Sequence, residues 1–159
     1  ALEADEPAAR VAALEAVRGQ DITQGAKAVV SLMQAAEQGA ADDAAGSQAA
    51  LEKIAVDGSL PEIYRQIASF KAASQSDGSL SVEDRRIRLE ALSAPGTSLR
   101  LLATEQLALI DIETADTEAA LEKLQGIVVD AEVTAGLRQR ATQLIIALGA
   151  EPEVLSGQN

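Results

Sequence analysis

The amino-acid sequence predicts an all-α protein of antiparallel helix pairs stacked in series, about eight helices in total. Three observations carry that expectation. Apolar residues recur at three- and four-residue spacing in nearly every segment. Helix-stopping Gly, Pro, Asp and Ser fall at intervals of roughly 15 to 20 residues. The composition is also rich in small aliphatic side chains, with 33 Ala and 19 Leu among 159 residues against one Tyr, one Phe and no Trp. A core of this kind closes by letting helices approach one another, not by filling the space between them with rings.

The elements follow in order. Pro7 suits a first helical turn and opens a helix through Val17, with Val11, Leu14 and Val17 on one face. A second helix runs from about Ile22 to Gln38, with Gly39 expected as its left-handed cap. The third covers roughly Gly46 to Val56 and buries Leu51 and Ile54. Ser59, Leu60 and Pro61 open the fourth, in which Ile63, Ile67 and Phe70 form the expected apolar stripe up to Ser74. The polar stretch from Ser74 to Ser79 is a turn. Ser81 reads as the N-cap of a fifth helix, with Glu83 and Asp84 complementing its dipole, and Ala94, Pro95 and Gly96 end that helix. The sixth, Leu99 to about Glu113, is apolar around most of its circumference and is expected in the core. Thr117 starts the seventh, which runs to Val129, and Thr134 starts the eighth, which stops at Gly149. Residues 1–150 thus read as one helical domain, and 151–159 as a flexible C-terminal tail.

Composition removes whole classes of function. With 25 acidic and 13 basic side chains the net charge is −12, and there is no basic stripe to neutralise phosphates, so nucleic acid is not an expected partner. The same charge disfavours anionic lipid surfaces. The absence of His and Cys removes thiolate nucleophiles, Ser-His triads and zinc sites built on nitrogen and sulfur. No enzymatic activity, cofactor or metal is expected; a hydrolase using acidic residues is the one enzyme class the composition leaves.

Sliding the chain against itself reveals two similarities. The five residues Ala49 to Lys53 recur as Ala119 to Lys123, an offset of 70. Around Asp57, Arg65, Gln66 and Ala68 the match is to Asp130, Arg138, Gln139 and Ala141, an offset of 73. Either value is two units of about 35, near the roughly 34-residue period of tetratricopeptide helix pairs. Helices two, three and four are therefore expected to repeat as six, seven and eight, forming a short right-handed tetratricopeptide-like solenoid in which each pair covers its neighbour. The aromatic consensus positions of that repeat are not filled.

The run from Gln106 to Leu109, the segment Ala115 to Leu124, and Gly136 to Ala141 continuing to Leu148 and Gly149 resemble a known family. So do Pro61, Tyr64, Arg65 and the segment Leu92 to Gly96. The family is that of tetratricopeptide-like periplasmic domains of bacterial single-pass inner-membrane proteins, in its alphaproteobacterial form, related to the ancillary subunit of the Sec translocon. The resemblance implies a domain on the periplasmic face of the inner membrane, tethered by a transmembrane helix preceding Ala1. It implies binding of proteins during export: translocon subunits, periplasmic chaperones or exported chains. The alternative is a homodimeric helical scaffold of the cell envelope.

Candidate partner-binding residues are Tyr64, Arg65, Arg138 and Arg140. The two aligned arginines suit bidentate contacts to acidic or main-chain groups, against the plainer expectation of ion pairs with neighbouring helices. Phe70 is expected in the core and Tyr64 at the surface. Asp77, Ser79, Ser81 and Glu83 resemble a calcium loop only loosely, because Val82 and Arg88 stand where Gly and Glu are needed. Asp111, Glu113 and Asp116 read as a solvated helix end. Arg85, Arg86 and Arg88 are expected to pair with Glu83, Asp84 and Glu90 on their own helix.

Overall fold

A computed structural model describes residues 6–75 and 80–153. Among these, the chain is entirely helical: α1 Pro7–Arg18, α2 Gln24–Ala40, α3 Ala44–Val56, α4 Glu62–Ser74, α5 Val82–Leu92, α6 Arg100–Glu113, α7 Thr117–Val129 and α8 Ala135–Ala147. None of these helices is long and apolar enough to cross a membrane. Of the calcium-loop residues, Asp77 and Ser79 lie outside the described residues, as does the tail from position 154.

The backbone forms two compact units, divided between Arg85 and Arg86 within α5. In the first, α1 packs on α2, α2 on α3 and α3 on α4; in the second, α6 packs on α7 and α7 on α8. Within each unit these consecutive helices thus cover one another, the packing expected of a helical repeat.

The repeat register is 73, exact in the bounds of α3 and α4 against α7 and α8, and it extends to individual hydrogen bonds. Asp43 and Asp116 are N-caps whose carboxylates accept from the Gly46 and Ala119 amides at 2.9 and 3.1 Å. Asp57 and Asp130 end the next helices and accept from the Ser59 and Glu132 amides at 2.9 and 2.8 Å. Before each N-cap stands a left-handed residue, Asp42 at φ 59° and Ala115 at φ 61°. The cores obey the same register. Ala35, Leu51, Ile54, Leu60, Ala68 and Ala72 in the first unit answer to Ala108, Leu124, Ile127, Val133, Ala141 and Ile145 in the second.

Three expectations are corrected. The Ala49–Lys53 match at offset 70 is not structural: Leu51 is buried and its counterpart is Leu124, whereas Leu121 is only partly buried. The five-residue identity lies about one helical turn out of register, as short matches can in Ala-rich helices. Gly39 does not cap α2, which continues to Ala40, and the left-handed position falls at Asp42. In α4 the buried face is Ala68, Ala72 and Ala73, while Ile63 is 39% exposed.

The paired turns make a direct prediction. A non-glycine left-handed residue costs about 1–2 kcal/mol, partly offset by the entropy that glycine loses on folding. Ala115→Gly is expected to raise stability by about 0.5–1 kcal/mol, and Asp116→Ala to lower it by about 1 kcal/mol, both read as shifts of the urea unfolding midpoint.

Candidate functional site

A groove of about 530 Å³ in the first unit is formed by the C-terminal end of α1, one face of α2 and the facing side of α3. Gln24, Lys27, Ser31, Gln34 and Gln38 line it from α2, where their three- and four-residue spacing puts them on one face. Across from them, Gly46, Ala49 and Ala50 keep the α3 wall low, and Lys53 stands at its end. On the α1 side Glu15 is already engaged, accepting from Arg18 at 2.7 Å and from Gln34 at 2.7 Å. Those hydrogen bonds, Gln34's first, hold its carboxyl below the ordinary range. At the far end Asp57 accepts both the hydroxyl and the amide of Ser59, at 2.6 and 2.9 Å, which lower its pKa. The Gln38 Oε1 is buried and has no hydrogen-bond partner.

The second unit carries its charges inward. Asp111, 1% exposed, lies between Arg86 Nη1 at 2.8 Å from Oδ1 and Lys123 Nζ at 2.7 Å from Oδ2. Burial by itself would raise the Asp111 carboxyl, but the two cations outweigh it and hold the group below its ordinary value. The expected solvated helix end is therefore wrong for Asp111. Arg86 is likewise not confined to partners on its own helix. The buried Arg85 donates its Nε to the Ala73 carbonyl at 3.1 Å. Glu105, 6% exposed, receives Arg140 Nε and Nη2 at 2.8 Å each, and this pairing raises the Arg140 pKa. Arg100 grips Asp130 at 2.9 and 3.1 Å and Glu132 at 2.7 Å. These contacts raise the arginine's pKa and lower that of Asp130.

Of the four residues expected at a partner surface, Tyr64 and Arg65 belong to the first unit and Arg138 and Arg140 to the second. Arg140 is committed to Glu105. Arg138 Nε donates to the Val128 carbonyl at 3.2 Å, tying α8 to the end of α7. Arg65, its counterpart in the register, has a buried Nε without an acceptor. Tyr64 packs against the first core, its ring standing 3.6 Å from where a Cβ on Gly25 would lie, and Phe70 lines a shallow apolar depression of about 310 Å³ with Leu32 and Leu51. Among the described residues no group of three or more Asp and Glu side chains is placed to hold a metal ion. The groove residues Lys27, Lys53 and Gln38 escaped sequence reasoning. The signal that could have found Lys27 and Gln38 is the α2 face itself, polar at Gln24, Lys27, Ser31, Gln34 and Gln38 in an otherwise alanine-rich helix.

Replacing Asp111 by Asn leaves two cations without their counter-charge, both able to turn partly to solvent, so the expected loss is about 2–3 kcal/mol at neutral pH. Because the folded carboxyl lies below its unfolded value, the advantage of Asp over Asn is complete above the ordinary carboxylate range. It is lost as pH falls through the lowered folded value. Urea titrations of both proteins from neutral to acid pH check sign and window together.

Comparison with protein-family models, curated proteins and solved structures returns no match for this chain.

Proposed function

We propose that the chain is a non-enzymatic protein-interaction domain, a short right-handed tetratricopeptide-like solenoid. In this reading it is held at the periplasmic face of the bacterial inner membrane and engages translocon subunits, periplasmic chaperones or exported chains. The observation that carries it is the 73-residue register, kept through caps, turns and cores, together with an open groove along α2 in the first unit. Helices that bury one another in series need no closed centre, and the faces left over are available to other chains. The sequence resemblance supplies the compartment and the class of partner. The arginines first expected to bind belong to intramolecular contacts at Glu105 and Val128, so the groove is the better contact surface.

Site-specific photo-cross-linking in cells tests this reading. A photoreactive residue at Gln24 or Ala49, on the two groove walls, is expected to yield adducts with secretion-machinery subunits, envelope chaperones or chains in transit. Adducts with cytoplasmic proteins alone, or none at all, overturn it.

A further inference from the structure

The two units share a scaffold but differ in where the counter-charges come from. In the 73-residue register Lys27 corresponds to Arg100, Gln38 to Asp111, Ala50 to Lys123 and Ser59 to Glu132. The second unit neutralises its cations itself: Arg100 is held by Asp130 and Glu132, and Lys123 by Asp111. In the first unit the uncharged Ser59 stands in place of Glu132, the pair Asp111–Lys123 is replaced as a whole by Gln38 and Ala50, and Lys53 is an added cation where the second unit has Gly126. Asp57, the counterpart of Asp130, is taken up by Ser59. Glu15, the carboxylate that Lys53 influences from a distance, is bonded to Arg18 and Gln34. Lys27 and Lys53 therefore line one groove with no ion-pair partner among the described residues, in a chain of net charge −12.

We propose that this groove binds an acidic, extended peptide segment of a partner protein, one of whose carboxylates takes at Lys27 the role that Glu132 fills at Arg100 in the second unit, with another at Lys53. The inference rests on the protein-interaction reading above and names the ligand class. Three features favour a peptide over a small anion. The α2 face from Gln24 to Gln38 is about 21 Å long at 1.5 Å per residue, the span of roughly six extended residues. The groove volume of about 530 Å³ far exceeds that of a single anion. Amide and hydroxyl side chains, Gln24, Ser31 and Gln38, alternate with the lysine along the floor and suit main-chain N–H and C=O groups.

The test uses the full chain and an end-capped, fluorescent peptide of alternating Glu and Ala, with a twin carrying Gln for Glu. Lys27→Glu and Lys53→Glu are compared with Lys71→Glu, an exposed α4 position outside the groove with the same change of charge. Anisotropy is expected to show binding of the acidic peptide to wild type and Lys71→Glu alike, at least about tenfold weaker binding of the twin, and at least about fivefold weakening by each groove variant. Amide NMR shifts on the unaltered protein should centre on Gln24, Ser31 and Gln38, a readout independent of how the variants fold. The proposal is overturned by absent binding, by equal loss in Lys71→Glu, by equal binding of the twin, or by shifts elsewhere. It is also overturned if inorganic phosphate or glutarate displaces the peptide at equal concentration, since the groove would then be a simple anion site. Failure here alongside secretion-machinery adducts from Gln24 or Ala49 removes only the acidic ligand class; failure of both removes the interaction domain.

Discussion

Close helix approach at alanine is the constraint from which the rest of the architecture follows. Ala28, Ala68 and Ala72 in the first unit and Ala103, Ala108, Ala120 and Ala141 in the second have no exposed surface, and Ser47 stands where Ala120 does with 2% exposure. Facing backbones at such points leave space for a methyl or a hydroxymethyl, and each added methylene costs about 1–3 kcal/mol in strain. A helix that must present a small residue at a fixed height to its neighbour cannot slide. Its ends, caps and turns are then fixed as well.

On this common frame the polar side chains are free to diverge, because they lie between or beside the alanine contacts. The second unit uses that freedom to turn acids inward, at Asp111 and Glu105, against Lys123, Arg86 and Arg140. Burying a charge is tolerated only when its partner comes with it. The first unit has smaller residues at several of the same heights, Ala72 against Ile145 and Ala55 against Val128. The contrast between the units lies in chemistry laid over equal geometry.

Helix number and most boundaries were legible in the sequence because they depend on local signals: Ser81 and Thr134 at helix starts, whose hydroxyls accept from the Asp84 and Leu137 amides, and Gly149 after the last turn. The true register was legible too, through Asp57 and Asp130, Arg65 and Arg138. The longer five-residue identity pointed elsewhere because Ala, Leu, Glu and Lys recur by composition alone in helices of this kind. What could not be read was the inward-facing charge. Asp111 looks like any acidic residue near a helix end, and its two cations stand 25 residues upstream and 12 downstream. Glu105 and Arg140, likewise, are 35 residues apart. Pairings of that kind are set by how helices stack, which no local window contains.

The hairpins α3–α4 and α7–α8 are each built of two 13-residue helices joined across positions 57–61 and 130–134. Equal lengths and equal turns make them interchangeable parts. A chain of this design can lengthen by copying a hairpin, or trade one for another, without solving a new packing problem. Diversity then accumulates in the polar positions while the spine stays constant.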